Sequence, residues 1–350
     1  MRHRTSIRLL SPAWALAFLL LLASTPTHAQ KTPRSVGLGS NPAGSVYYAL
    51  ASGLANVVSG TAPFQMTVQP YTGSSTYLPL IDTGELEFGM VNAVDMALAY
   101  QGPERLKIGG RNPYPFTPGT RLIMRGTPLQ SSLVVRKDSP IKNIHDVKGK
   151  RVTGEYPAQL AVWYNIYGSL ANAGMNWNDV KVVPVPAVNE GVDALIAGRA
   201  DVTTHAIGSA KIKEADASVG IRYLSLDCSP QAEERMKKAV PGYYLATFKA
   251  GSSTGIVEDI CGFAYDIYMI GHKGLSDAVV QGTLRAIWDN IAKLPPLHPN
   301  FKDWTRERAA SAEVTMPYHP AAVQFYKEKG VWNAKMDEAQ KKLLALNPEK

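Results

Sequence analysis

The stretch that decides the fold is Ser35-Val36-Gly37-Leu38-Gly39-Ser40-Asn41-Pro42-Ala43-Gly44-Ser45-Val46-Tyr47-Tyr48-Ala49-Leu50. A short apolar strand over Ser35–Leu38 runs into a loop carrying Gly39, Ser40, Gly44 and Ser45. An amphipathic helix is predicted to start near Val46. Such a loop leaves unpaired backbone N–H groups at a helix N-terminus, which suits a carboxylate or a phosphate. The small side chains let a ligand approach the main chain closely. A dinucleotide fingerprint is a poor match: Gly37 and Gly39 fit, but Pro42 stands at the third glycine position and no acidic residue ends the next strand at Gln69.

What precedes the loop sets the compartment. Arg2, Arg4 and Arg8 form a basic region, Ala13–Ala23 an apolar core, and Thr27-His28-Ala29 a small-x-small cleavage pattern. The apolar run is short for a membrane span and has the flanks of a secretory signal. Residues 1–29 are therefore expected to be a signal peptide, and cleavage leaves a chain starting near Gln30 in the periplasm. At about 320 residues that chain is long enough for two lobes with cores of their own.

The formal charge of +8 falls when three arginines leave with the signal. The remaining lysines are interleaved with acidic and apolar residues, which argues against a nucleic-acid stripe. Cys228 and Cys261 are the two cysteines. An oxidising compartment permits a bridge between them, and the sequence leaves both the bridge and free thiols open. The histidines lack i,i+4 partners or nearby thiols, so neither a metal nor a cofactor is expected.

Downstream, strand-like and helix-like segments alternate. Phe64–Gln69, Glu87–Val91, Ser132–Arg136, Lys181–Val185 and Ala200–Thr204 read as strands. Tyr77–Thr83, Val94–Gln101, Ala158–Ala173 and Val188–Ala197 read as helices. The alternation argues for parallel sheets with ligand loops at the carboxyl ends of the strands. The last third carries a long helix over Ser276–Leu294, followed by helices at Ala321–Lys329 and Met336–Leu346.

The order of motifs resembles the TAXI family, the solute receptors of one class of TRAP transporter. The resemblance rests on Gly39-Ser40-x3-Gly44-Ser45-Val46-Tyr47-Tyr48 and Tyr71-Thr72-Gly73-Ser74-Ser75. It continues through Asp82-Thr83-Gly84-Glu85-Leu86-Glu87-Phe88-Gly89-Met90-Val91-Asn92, then Glu190–Asp201, and closes on Met316-Pro317-Tyr318-His319-Pro320. It implies a type II periplasmic-binding-protein fold: two α/β lobes joined by hinge strands, a solute between them, and delivery to TRAP-type membrane permease subunits. Lobe 1 is placed at residues 30–130 plus 262–350 and lobe 2 at 131–261. The implied ligand is a small organic acid or amino acid. The expected contacts are Gly39, Ser40, Gly44, Ser45, Val46, Tyr47, Thr72, Gly73, Ser74, Ser75 and Asn92.

Two departures bear on ligand choice. The loop after Val152 is usually glycine- and serine-rich in the family, yet here it reads Thr153-Gly154-Glu155-Tyr156-Pro157-Ala158-Gln159. Glu155, Tyr156 and Gln159 are therefore added to the expected contacts, as a specificity element. The stretch Arg111–Gln130, rich in Pro, Gly and Arg, also reads as a longer connection than the family has. Two other functions stay open: a secreted hydrolase using Gly251-Ser252-Ser253-Thr254-Gly255 as a nucleophile elbow, and a binding or sensor protein of another system.

Overall fold

A computed structural model describes residues 33–348, which form one compact unit. The signal-peptide reading lies outside the described residues. Three strands and three helices alternate first: β1 (Ser35–Ser40), α1 (Val46–Ser59), β2 (Gln65–Pro70), α2 (Ser74–Thr83), β3 (Phe88–Asn92) and α3 (Ala93–Gln101). β1 pairs in parallel with both β2 and β3. This is the parallel αβ unit the alternation calls for, and it sends the loops after β1, β2 and β3 to one edge. The strand–helix turn after β1 needs Gly44, whose φ of 87° lies in the left-handed region.

Two long strands hold the molecule together. β4 spans Thr120–Arg136 and β10 spans Ile260–His272. They are antiparallel to each other along their length. One end of β10 pairs with β3, and its other end pairs with β9 (Tyr244–Phe248). The far end of β4 pairs with β7 (Thr203–Ala206) and β8 (Ile221–Tyr223). A second, two-stranded parallel sheet of β5 (Arg151–Glu155) and β6 (Lys181–Val185) completes that half. The result is two α/β lobes spanned by crossing strands, as the resemblance implies. The lobe bounds expected at 131 and 262 fall inside β4 and β10.

Helices α4 (Ala161–Asn172), α5 (Val188–Ile196), α6 (Ala210–Val219) and α7 (Pro230–Ala239) flank the second half. Helices α8 (Asp277–Asp289), α9 (Pro320–Glu328) and α10 (Ala334–Leu344) close the chain. Val279, Val280, Leu284, Ile287 and Trp288 are buried along α8, the stripe its 3.6-residue period predicts. Phe301 and Trp304, from the segment that follows, are fully covered in the same core.

Several sequence expectations are corrected. Arg111–Gln130 is not one long connection, because Thr120–Gln130 is the first part of β4. Leu122, Ile123, Met124 and Leu129 are buried there. Gly126 and Pro128 look like turn signals, yet they sit where the β4–β10 register slips between Asp266 and Tyr268. Proline is tolerated at such an irregularity because no ladder hydrogen bond is lost. The helix expected from Ala158 begins at Ala161, after a turn. The strand expected at Ala200–Thr204 is shifted to Thr203–Ala206. Helices α6 and α7 and strand β9 are additions. The open question at the cysteines is resolved: Cys228 and Cys261 form a disulfide, with Cα atoms 5.7 Å apart.

Candidate functional site

The ends of β1, β2 and β3 converge on a cavity of about 40 Å³ between the two halves. Ser45, Val46 and Tyr47 reach it from the start of α1, Ser74 from the start of α2, and Asn92 from the end of β3. Gln159, Ala161, Val162 and Asn165 close it from the start of α4, while Val188, His205 and Tyr265 come from α5, β7 and β10.

Local chemistry explains why three helices begin here. The Ser45 hydroxyl caps α1 by accepting the Tyr48 N–H at 3.2 Å, and it donates to the Pro42 carbonyl at 2.7 Å. The Asn92 amide oxygen caps α3 by accepting the Asp95 N–H at 2.6 Å. α2 starts at Gly73 without a side-chain cap. The first-turn N–H groups of a helix have no intrahelical acceptor, so three helix starts present donors and positive dipole ends to one place.

Asp95 is the most unusual lining residue. It is 1% exposed. The Ser74 hydroxyl donates to its Oδ2 at 2.6 Å, and its Oδ1 has no partner. The Tyr114 hydroxyl approaches the same carboxylate without closing a hydrogen bond of its own. Burial raises the Asp95 pKa to about 6, against the pull of the Ser74 and Asn92 hydrogen bonds. Across the cavity, His205 is buried and held neutral, its pKa lowered by burial to about 4. Its Nε2 pairs with the Asn189 amide oxygen at 3.1 Å, and its Nδ1 is unpartnered. Asn41 Oδ1 and the Tyr47 hydroxyl also lack partners. Buried polar groups are nearly always hydrogen-bonded, so four atoms without a geometric partner around one cavity are an unusual concentration.

Contacts across the cavity rim join the two halves. The Asn189 amide donates to the Ala43 carbonyl at 3.5 Å, and the Ser75 hydroxyl donates to the Ala158 carbonyl at 3.4 Å. A Cβ on Gly73 would meet that same carbonyl oxygen at 2.0 Å. Arg111 lies over the Trp163 ring at 4.6 Å, and Tyr167 stacks on the same indole with centroids 5.0 Å apart.

Of the expected contacts, Ser45, Val46, Tyr47, Ser74, Asn92 and Gln159 line the cavity together. Gly39, Ser40, Gly44, Thr72, Gly73 and Ser75 frame it without lining it. Gly39 and Ser40 are within β1, Gly44 shapes the outer side of the turn, and Thr72 is exposed. Glu155 and Tyr156 need correction as a specificity pair. Both have left-handed backbone, with φ of 69° and 50°. That turns the Glu155 carboxylate to solvent and the Tyr156 ring inward, where its hydroxyl donates to Thr153 Oγ1 at 2.5 Å. Gln159 is the member of that loop on the cavity, where its side-chain oxygen accepts the Val188 N–H at 2.8 Å.

The contacts expected from the sequence did not include Asn41, Asp95, Asn165, His205 or Tyr265. One signal was available: Asp95 sits inside the apolar run Val94–Leu98, three residues after an Asn cap. A charge at a core-facing helical position needs a reason. Asn165 and Tyr265 carry no such mark, because tertiary pairing alone brings α4 and β10 to the cavity.

The Gly251–Gly255 segment is a loop between the antiparallel strands β9 and β10, and Ser253 is not followed by a helix. Ser253 and His298 face the same outer groove. The His298 Nδ1 is already occupied in accepting the Asn300 N–H at 3.2 Å. Among the described residues no group of side chains has the makings of a metal site, and no helix is long and apolar enough to cross a membrane.

Among solved structures, one described as a periplasmic transporter is 12% identical with a TM-score of 0.53, covering 89% of this chain and 97% of its own. PhnD1 from Prochlorococcus marinus (MIT 9301), in complex with methylphosphonate, is 10% identical with a TM-score of 0.53, covering 86% and 100%. A binding protein component of an ABC phosphonate transporter from Pseudomonas aeruginosa is 11% identical with a TM-score of 0.50, covering 90% and 97%. At these identities the likeness is one of fold, the two-lobed periplasmic-binding-protein fold. A family model described as NMT1-like matches residues 38–330, and the chain belongs to the NMT1-like family.

Proposed function

We propose that this chain is a periplasmic solute receptor that captures a small organic acid or amino acid between its lobes and hands it to membrane permease subunits. The carrying observation is the cavity between the halves with unpartnered atoms on Asn41, Tyr47, Asp95 and His205. A ligand offering donors and acceptors would satisfy groups that are costly to leave buried and unpaired. The helix starts at Ser45, Ser74 and Asn92 supply the positive ends for a carboxylate. Closure of residues 30–130 plus 262–350 onto 131–261, by bending where β4 and β10 slip register, would enclose the solute and present a closed form for docking. The motif order around Thr72–Ser75 and Asp82–Asn92 favours permease subunits of TRAP type.

A thermal-shift screen of the exported chain against carboxylates and amino acids tests the reading. A ligand that binds only the native state raises its melting temperature by an amount that grows with concentration. A rise with at least one of them, abolished by Ser45→Ala with Ser74→Ala, is expected. No shift across the panel would end the receptor reading.

A further inference from the structure

We propose that Asp95 receives the ammonium group of the solute, so that the cavity selects a small zwitterion with a short aliphatic side chain over a bare carboxylate, phosphonate or sulfonate. The proposal rests on the receptor reading above and names its ligand class. Asp95 is almost fully buried on the cavity wall, and Ser74 occupies only one of its two oxygens. Its remaining oxygen has the Tyr114 hydroxyl nearby but closes no hydrogen bond with it, so it can still accept from a stronger donor. Among the described residues lining the cavity there is no lysine or arginine. His205, the other titratable group with nitrogen on the wall, is neutral at the pH of the periplasm. An anion carrying more charge than a carboxylate would therefore face a carboxylate in a water-poor space with only helix starts to offset it. Like charges in such surroundings repel strongly.

A zwitterion fits both ends. Its carboxylate takes the N–H groups at the starts of α1 and α2, and its ammonium takes Asp95 Oδ1. The Asp95 pKa of about 6 leaves the carboxylate mostly ionised at neutral pH, ready for a cation. Met90, Leu129, Val162 and Val188 give the rest of the cavity an apolar wall, and its small volume limits the side chain.

Calorimetric titration of the exported chain at neutral pH with L-alanine, L-valine, propionate, isovalerate and methylphosphonate decides the matter. The amino acids are expected to bind at least about tenfold more tightly than their counterparts without the amino group, the scale of a hydrogen bond to a charged partner. Asp95→Asn, with a native circular dichroism spectrum, should lose most of that preference. The ranking in the unaltered chain tests the proposal even if the variant fails to fold. Isovalerate or methylphosphonate binding the unaltered chain as tightly as valine would overturn the proposal while leaving a receptor. So would Asp95→Asn keeping its affinity for valine. Absence of binding by all five, with a positive shift elsewhere in the wider carboxylate and amino-acid screen, would overturn the ligand class alone. Absence throughout would remove the receptor reading as well.

Discussion

At the scale of single residues, Gly73 carries the clearest consequence. Its φ of 178° is extended backbone that any residue adopts, so alanine there strains nothing locally. The obstacle is across the cavity: an added Cβ would sit 2.0 Å from the Ala158 carbonyl oxygen and 2.9 Å from the Gln159 Cα. Both are backbone atoms and cannot rotate away. Gly73→Ala has to push the two segments apart, and is therefore expected to lower the melting temperature of the solute-free chain and to bind solute at least about tenfold more weakly because the two halves cannot meet. Parent-like affinity would show that this contact has no part in binding. The same pair of segments explains what the sequence made legible. Small residues at strand ends mark where chain must come close to chain, so Ser45, Ser74 and Asn92 were readable from their turns. Asp95 was marked only as a charge inside an apolar run; its burial beside Tyr114 and neighbouring rings comes from tertiary packing that the local pattern does not carry. Glu155 misled for the opposite reason. Its chemistry suggested a contact, while the left-handed backbone it adopts aims it outward.

Among the elements, β4 and β10 decide how the halves are joined. Where their register slips, Arg125 and Arg308 grip one carboxylate: the Arg125 Nε lies 2.6 Å from Asp266 Oδ2, and an Arg308 nitrogen lies 2.5 Å from Oδ1. The Asp266 and Arg125 side chains are only 11% and 16% exposed. Removing the shared acid would leave two guanidinium groups close together and poorly solvated, the situation in which a broken buried ion pair is costly. Asp266→Asn should lower unfolding stability by about 3 kcal/mol, read as a lower urea midpoint with an unchanged slope. A loss below about 1 kcal/mol, the range of surface pairs, would mean that solvent already screens the cluster. The alternating β1–α3 unit was legible because each element repeats its own period and is punctuated by Gly, Pro or a cap. β4 was obscured by Gly126 and Pro128, residues that usually end strands and here mark an irregular point inside one. The disulfide was legible as two cysteines in an oxidising compartment, but the meeting of Cys228 with Cys261 needs the β10 pairing to bring them within reach.

For the whole molecule, the cavity ties stability to pH through two buried groups that act in opposite directions. Asp95 has a pKa of about 6 in the fold against 3.8 for the ordinary carboxyl, so the folded chain holds its proton more tightly than the unfolded one. Its contribution favours the fold below the ordinary value and is lost as pH rises through 6. His205 has a pKa of about 4 in the fold against 6.5, so the unfolded chain takes up the proton first. Its contribution is absent at low pH and is gained as pH rises from 4 to 6.5. Each shift is worth about 3 kcal/mol at 1.36 kcal/mol per unit, and linkage makes each a slope in stability over the same window. Between pH 4 and 6 the two slopes oppose each other, and the cavity as a unit is nearly silent. Single variants expose each half. Relative to the parent, Asp95→Asn should gain stability as pH is raised from 4 to 6 and then level off, and His205→Gln should lose it between pH 4 and 6.5. Other groups shifted by burial, such as Asp82, His272 and His319, are common to parent and variants and cancel in the difference. The tyrosines around Asp95, including Tyr47, Tyr114 and Tyr265, are pushed upward by burial and stay protonated throughout this range. Urea unfolding at several pH values measures the differences directly. If both variants track the parent in parallel, Asp95 and His205 titrate as they do in water, and the cavity is wetter than its lining implies.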